Sequence, residues 1–185
     1  MEDRRGVTIV WLRRDLRLLD NPALTEASRS GGHALPIALW PRTDTPAAGL
    51  EAARGGVPGA AARWWLARSL IALGDDLRRH SSVLVVRAAG SGPDAVAAAV
   101  TGLAAEAGAS RVVWARGIDP PQRAEDDAVR RTLGEAGIEV VVVPSAALLV
   151  APDAVETAQG GPYKVFTPFW RAASGGLRPP DPLPA

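Results

Sequence analysis

The stretch Trp11-Leu12-Arg13-Arg14-Asp15-Leu16-Arg17 places arginines and an aspartate directly behind a continuous apolar run, residues 7–12. Guanidinium groups in such a position recognise carboxylates or phosphates, or they tie a loop to a strand through ion pairs. The residue types alone fit both uses. A second group of the same kind, Trp114-Ala115-Arg116, follows another apolar run at 111–114. Other chemistries find no support. No GxGxxG follows the first apolar run and no GxxxxGK[ST] occurs anywhere, so the two common phosphate-cradling loops are missing. His33 and His80 lack metal-ligand spacing, and the chain has no cysteine to supply a thiolate or a disulfide. No nucleophile with a neighbouring base can be read. The expectation is a binding module with no catalytic and no metal-ligating residue of its own.

The elements that must position these residues alternate regularly. Apolar, β-branched runs at 7–12, 35–40, 82–87, 111–114 and 138–143 read as strands buried on both faces. Helices are expected from the Asn21-Pro22 start to about Ser30, from about Gly59 to His80, over 94–107 and over 122–136. In the second of these, Leu66, Leu70, Leu73 and Leu77 form one apolar stripe. Parallel strands need crossover helices, and right-handed crossovers give an α/β, doubly wound, Rossmann-like sheet of five parallel strands in the order 3-2-1-4-5. Ligands of such sheets lie beyond the carboxyl ends of the strands at the topological switch. The expected pocket is therefore lined by residues 12–15 and 114–116, with the tip of the second strand, Trp40-Pro41, nearby.

Composition agrees with one globular domain. The chain has 185 residues, 47% hydrophobic and 22% charged, with a net charge of +1 that argues for neither a nucleic-acid nor a membrane partner. No signal-peptide pattern opens the sequence, and the most apolar segment, 140–151, is interrupted by Pro144. A cytoplasmic location without membrane association is the expectation. Residues 41–59 read as a long loop. Residues 1–172 are expected to form the α/β domain and 173–185, rich in glycine and proline, to open an extended linker.

Three segments carry a family resemblance. The run from Trp11 through Asp20-Asn21-Pro22-Ala23-Leu24 resembles the W-[FL]-R-R-D-L-R…D-N-P-A-L signature of DNA photolyases and cryptochromes. Arg63-Trp64-Trp65-Leu66-Ala67-Arg68-Ser69-Leu70 resembles the R-x-F-L-x-x-S-L helix of the same family, and Pro162 to Arg171 resembles its P-Y-x-V-F-T-P-F-W-[RK] segment. The resemblance implies an antenna-binding α/β domain that is followed, in full-length members, by a linker and a helical FAD-binding domain where light-driven repair of pyrimidine dimers takes place. It implies that FAD is not bound by this chain, that DNA is met only through the helical domain, and that the chain by itself does not repair DNA.

On this resemblance Arg63 matches an arginine of the deazaflavin-type pocket, and Arg13 and Arg14 match the signature loop beside it. Trp40, Trp114 and Arg116 complete the candidate cofactor-binding set. Trp40 stands where many members have an acidic residue, and Ala115 where folate-binding members often have asparagine. Ala115 lacks the amide a folate would bond and Trp40 narrows a flavin-sized pocket, so a folate is disfavoured while a deazaflavin or flavin antenna and an empty, vestigial site both stay open. Phe166, Phe169 and Trp170 are expected to meet the helical domain or to mediate self-association. Two further readings remain open at this level: a stand-alone nucleotide-binding module and a protein-interaction module.

Overall fold

The structure, a computed structural model, describes residues 6–42, 59–145, 154–177 and 181–183. Its elements run β1 (Val7–Leu12), α1 (Pro22–Arg29), β2 (His33–Pro41), α2 (Ala60–Arg79), β3 (Val85–Ala89), α3 (Pro93–Glu106), β4 (Ala109–Ala115), α4 (Pro120–Glu135), β5 (Glu139–Val143) and α5 (Phe166–Ser174). The strands form one sheet in the order β3-β2-β1-β4-β5, and every pairing is parallel. The doubly wound architecture expected from the alternation is thus present.

Period-two alternation in β1 divides the core. Ile9 and Trp11 join Ile37, Val112 and Trp114 under α3 and α4, while Val10 and Leu12 join Val113 under α1 and α2. Trp11 and Trp114 are register partners on neighbouring strands, with ring centroids 5.7 Å apart. Burying each side chain of this kind stabilises the fold by roughly 1.5–3 kcal/mol. In α2, Leu70, Leu73 and Leu77 of the leucine stripe are buried, whereas both members of the Trp64-Trp65 pair are exposed.

The β1–α1 loop is organised by Asn21, which is fully buried. Its Oδ1 accepts from the backbone N–H groups of Ala23 and Leu24, and its Nδ2 donates to the carbonyls of Asp15 and Arg17. Pro22 at the first helical position needs no donor there.

Several details differ from the sequence reading, β2 and β4 each beginning two residues earlier, at His33 and Ala109. The third strand begins at Val85 rather than Ser82, because Ser81 takes φ +57° and Ser82 N–H reaches back 2.9 Å to the Leu77 carbonyl, closing the end of α2. Helix α4 starts earlier than 122, since Asp119 is its cap and Pro120 and Pro121 occupy the first turn. The aromatic segment is helical as α5, with Pro168 in the first turn where its missing N–H costs nothing. Most of the expected 41–59 loop, part of the 140–151 segment and part of the tail after Ser174 lie outside the described residues.

Candidate functional site

Arg13 is the first residue beyond β1, and its guanidinium turns across the sheet edge rather than outward. Nη2 donates to the Ala115 carbonyl at 2.5 Å, Nη1 lies 2.8 Å from Asp126 Oδ1, and the group sits 4.5 Å above the centre of the Trp11 ring. Asp126, on the second turn of α4, is 3% exposed and also accepts from Gly117 N–H at 2.7 Å. The Nη1–Oδ1 approach is close yet off hydrogen-bond alignment. Charge therefore holds that contact, while the Ala115 and Gly117 bonds supply direction. Gly117 permits the tight turn from β4 into α4, because a Cβ there would stand 2.6 Å from that of Gln122. The Arg13 backbone N–H in turn donates to Asp15 Oδ1 at 3.0 Å.

Around this lock the expected lining is divided between two cavities, Leu12, Arg13, Arg14 and Pro41 lying on the larger and Arg13, Arg14, Asp15, Ala115 and Arg116 on the smaller. At the β1/β4 crevice lies a cleft of about 60 Å³, lined by Arg13, Arg14, Asp15, Ala115 and Arg116 among others. A much larger cavity of about 660 Å³ opens instead over the carboxyl ends of β1, β2 and β3. That volume lies within the ~300–1,000 Å³ usual for small-molecule sites. Leu39, Leu66, Leu70 and Val96 make its apolar walls, the Gly90-Ser91-Gly92 turn one rim, and Asp119, Gln122 and Glu125 of the α4 segment its polar side.

Of the six residues singled out from sequence, Arg13 and Arg14 line the large cavity, and Arg116 joins them at the small cleft. Arg14 is 75% exposed and pairs with Asp119 at 3.2 Å on the rim. Trp114 is fully buried in the core beneath the cleft. Trp40 and Arg63 are half-buried and lie off the cavity lining, although Ala62 and Leu66 flank Arg63 and are on it. The sequence reading did not single out Gln122 or Glu125. Their signal was their place in the first turns after a strand's carboxyl end, where doubly wound sheets bind ligands.

Glu125 is the electrostatically unusual member. Burial pushes its carboxyl above the ordinary glutamate value, Asp126 and Asp119 add to the rise, and Arg13 opposes it. Among the described residues its nearest cation is Arg13 at 4.0 Å, and no hydrogen bond reaches its carboxylate.

A parallel doubly wound sheet in the order β3-β2-β1-β4-β5, with a mixed apolar and polar cavity at its carboxyl edge, defines a Rossmann-like α/β domain. Sequence comparison identifies which one: the chain belongs to the DNA photolyase family, whose sequence model matches residues 8–185. It is 38% identical over 182 residues to the deoxyribodipyrimidine photo-lyase of Agrobacterium fabrum, covering 98% of this chain and 34% of that protein. It is 32% identical over 165 residues to cryptochrome-2 of Arabidopsis thaliana, covering 89% of this chain and 24% of that protein. The crystal structure of a class III photolyase from Agrobacterium tumefaciens superposes with a TM-score of 0.79 at 37% identity, over 97% of this chain and 34% of that one. The chain thus spans about a third of the photolyases it matches and is a photolyase/cryptochrome-like N-terminal α/β domain. No described helix is long and apolar enough to cross a membrane.

Proposed function

We propose that this domain holds a light-harvesting chromophore in the cavity over β1–β3 and serves the photochemistry of a larger photolyase or cryptochrome. The observation that carries the reading is the cavity itself, about 660 Å³ with apolar walls and hydrogen-bonding groups gathered on one side. A planar fused ring of the deazaflavin or flavin type suits that division, since its faces are apolar and its polar atoms lie along the edges. Arg13 acts in this reading by holding the β4–α4 turn in place, and Arg14 by supplying a cation at the rim.

The absorbance spectrum of the purified protein tests the proposal, together with titration by riboflavin, flavin mononucleotide and 5-deazariboflavin. A co-purifying near-UV or blue band, or saturable binding of one of these rings, is the expected result. The absence of both a band and saturable binding refutes the reading, and a co-purified folate would replace the ring class while keeping the antenna role.

The aromatic face of α5 supports a second part of the proposal, docking of the FAD-binding helical domain. Phe166 and Trp170 stack at 6.1 Å yet are 70% and 50% exposed. Mixing this chain with a separately produced helical domain tests it: Phe166→Ser and Trp170→Ser are expected to abolish association.

A further inference from the structure

Most polar groups on the cavity wall are already committed. Arg13 is engaged by Asp126, Ala115 and Trp11. Asp119 accepts from Gln122 N–H and pairs with Arg14. Gln122 Oε1 accepts from Ile118 N–H at 3.2 Å, which leaves its amide NH₂ as a donor. Glu125 differs from all of these. Its side chain is only 26% exposed, it lines the cavity, and its carboxylate accepts no hydrogen bond from the described residues. Its oxygens are not among the buried polar atoms without a partner, so water meets them at the cavity and a ligand donor can take that water's place. Gln122 and Glu125 stand three residues apart on α4, so they are neighbours on one helix face. Together they offer a donor beside an acceptor, the complement of a ring edge that carries C=O next to N–H.

Building on the proposed chromophore site, we propose that Glu125 is its specificity-determining residue, accepting the ring N–H of a lactam or imide edge. Arg13 and Asp126 are its positioning pair. Arg13 lies too far from Glu125 for a hydrogen bond but near enough to favour the ionised form, while Asp126 anchors the adjacent residue of the helix. The charged groups facing the carboxyl are Arg13 and Arg14 from the loop after β1, and Asp119 and Asp126 from the α4 segment. Burial holds the Glu125 carboxyl above its ordinary range. Affinity for such a ring should therefore rise with pH as the carboxyl ionises and becomes a full acceptor.

Binding of lumiflavin and of N3-methyllumiflavin to the full chain tests this, because the two rings differ at the imide N–H. Titrations followed by ring fluorescence should show wild-type protein preferring lumiflavin by about tenfold or more, since hydrogen bonds to charged groups are worth that ratio. Glu125→Ala is expected to bind both rings equally. Glu125→Gln, which keeps the side-chain shape, should retain part of the preference and lose its pH dependence. Equal binding of both rings by the wild type, or an unchanged preference in Glu125→Ala, overturns the role of Glu125 and leaves the chromophore site standing. Failure of the wild type to bind either ring removes the site and this role with it.

Discussion

Removing Asp126 exposes the energetics of the lock that shapes the site. In Asp126→Ala the Arg13 guanidinium, 14% exposed, loses its counter-ion at 2.8 Å, and Gly117 N–H loses its acceptor at 2.7 Å. Breaking a buried pair by deleting one partner costs about 3–5 kcal/mol. Arg13 keeps the Ala115 carbonyl and the Trp11 ring, and Glu125 lies 4.0 Å away, which places the loss near the lower end of that range. For a domain of this size ~3 kcal/mol corresponds to a fall in Tm of roughly 6–12 °C. Urea denaturation followed by circular dichroism measures it, with Arg13→Met, Asp126→Leu and the double variant Arg13→Met/Asp126→Leu completing a cycle. The double variant should recover most of the loss, because an apolar pair of similar volume replaces a buried ion pair at little cost. A loss below about 1 kcal/mol for Asp126→Ala, or additive single and double effects, refutes the lock.

Three further outcomes follow from neighbouring contacts. Asn21→Ala should destabilise the chain by at least about 1–2 kcal/mol in the same denaturation assay, since it removes the α1 cap and strands the Asp15 and Arg17 carbonyls it bonds. Gly117→Ala should cost about 1–3 kcal/mol and shift the near-ultraviolet spectrum of the adjoining tryptophans, because the new methyl group meets Gln122. Glu125→Gln should raise Tm at pH 7–8 and converge with wild type as pH falls toward 4.5. The folded-state value of Glu125 is raised above its ordinary 4.5, so its contribution is fully present below that pH and is lost as pH rises through the folded value. A thermal-melt series across that range reads the difference.

How much of this was legible from sequence depends on the range of the interactions involved. The strands could be read because Val7–Leu12 and its partners are buried on both faces and so carry unbroken apolar runs. The handedness of the crossovers gave the doubly wound class, within which 3-2-1-4-5 is one allowed order and the one observed, and the Asn21-Pro22 start followed from local capping chemistry. Even the missed boundary of β3 has a local cause, the helix closure through Ser81 and Ser82. The family assignment needed only the motifs at Trp11, Arg63 and Pro162, since each is a contiguous segment.

The site was decided by the tertiary structure. Arg13 and the Ala115 carbonyl are 102 residues apart in the chain, and nothing near either one signals that they meet. Their contact spans the β1/β4 crevice, where only a small cleft lies, and the larger volume is over β1–β3. Glu125 looks like an ordinary charge on an amphipathic helix until folding buries it beside that volume without a donor. A sequence states which residues carry charge and how neighbours along the chain arrange themselves. Which charges neutralise one another, and which is left facing a cavity, is set by packing between distant elements, and here that packing commits the arginine of the signature to Asp126 and Ala115 while Glu125 beside it keeps no hydrogen bond.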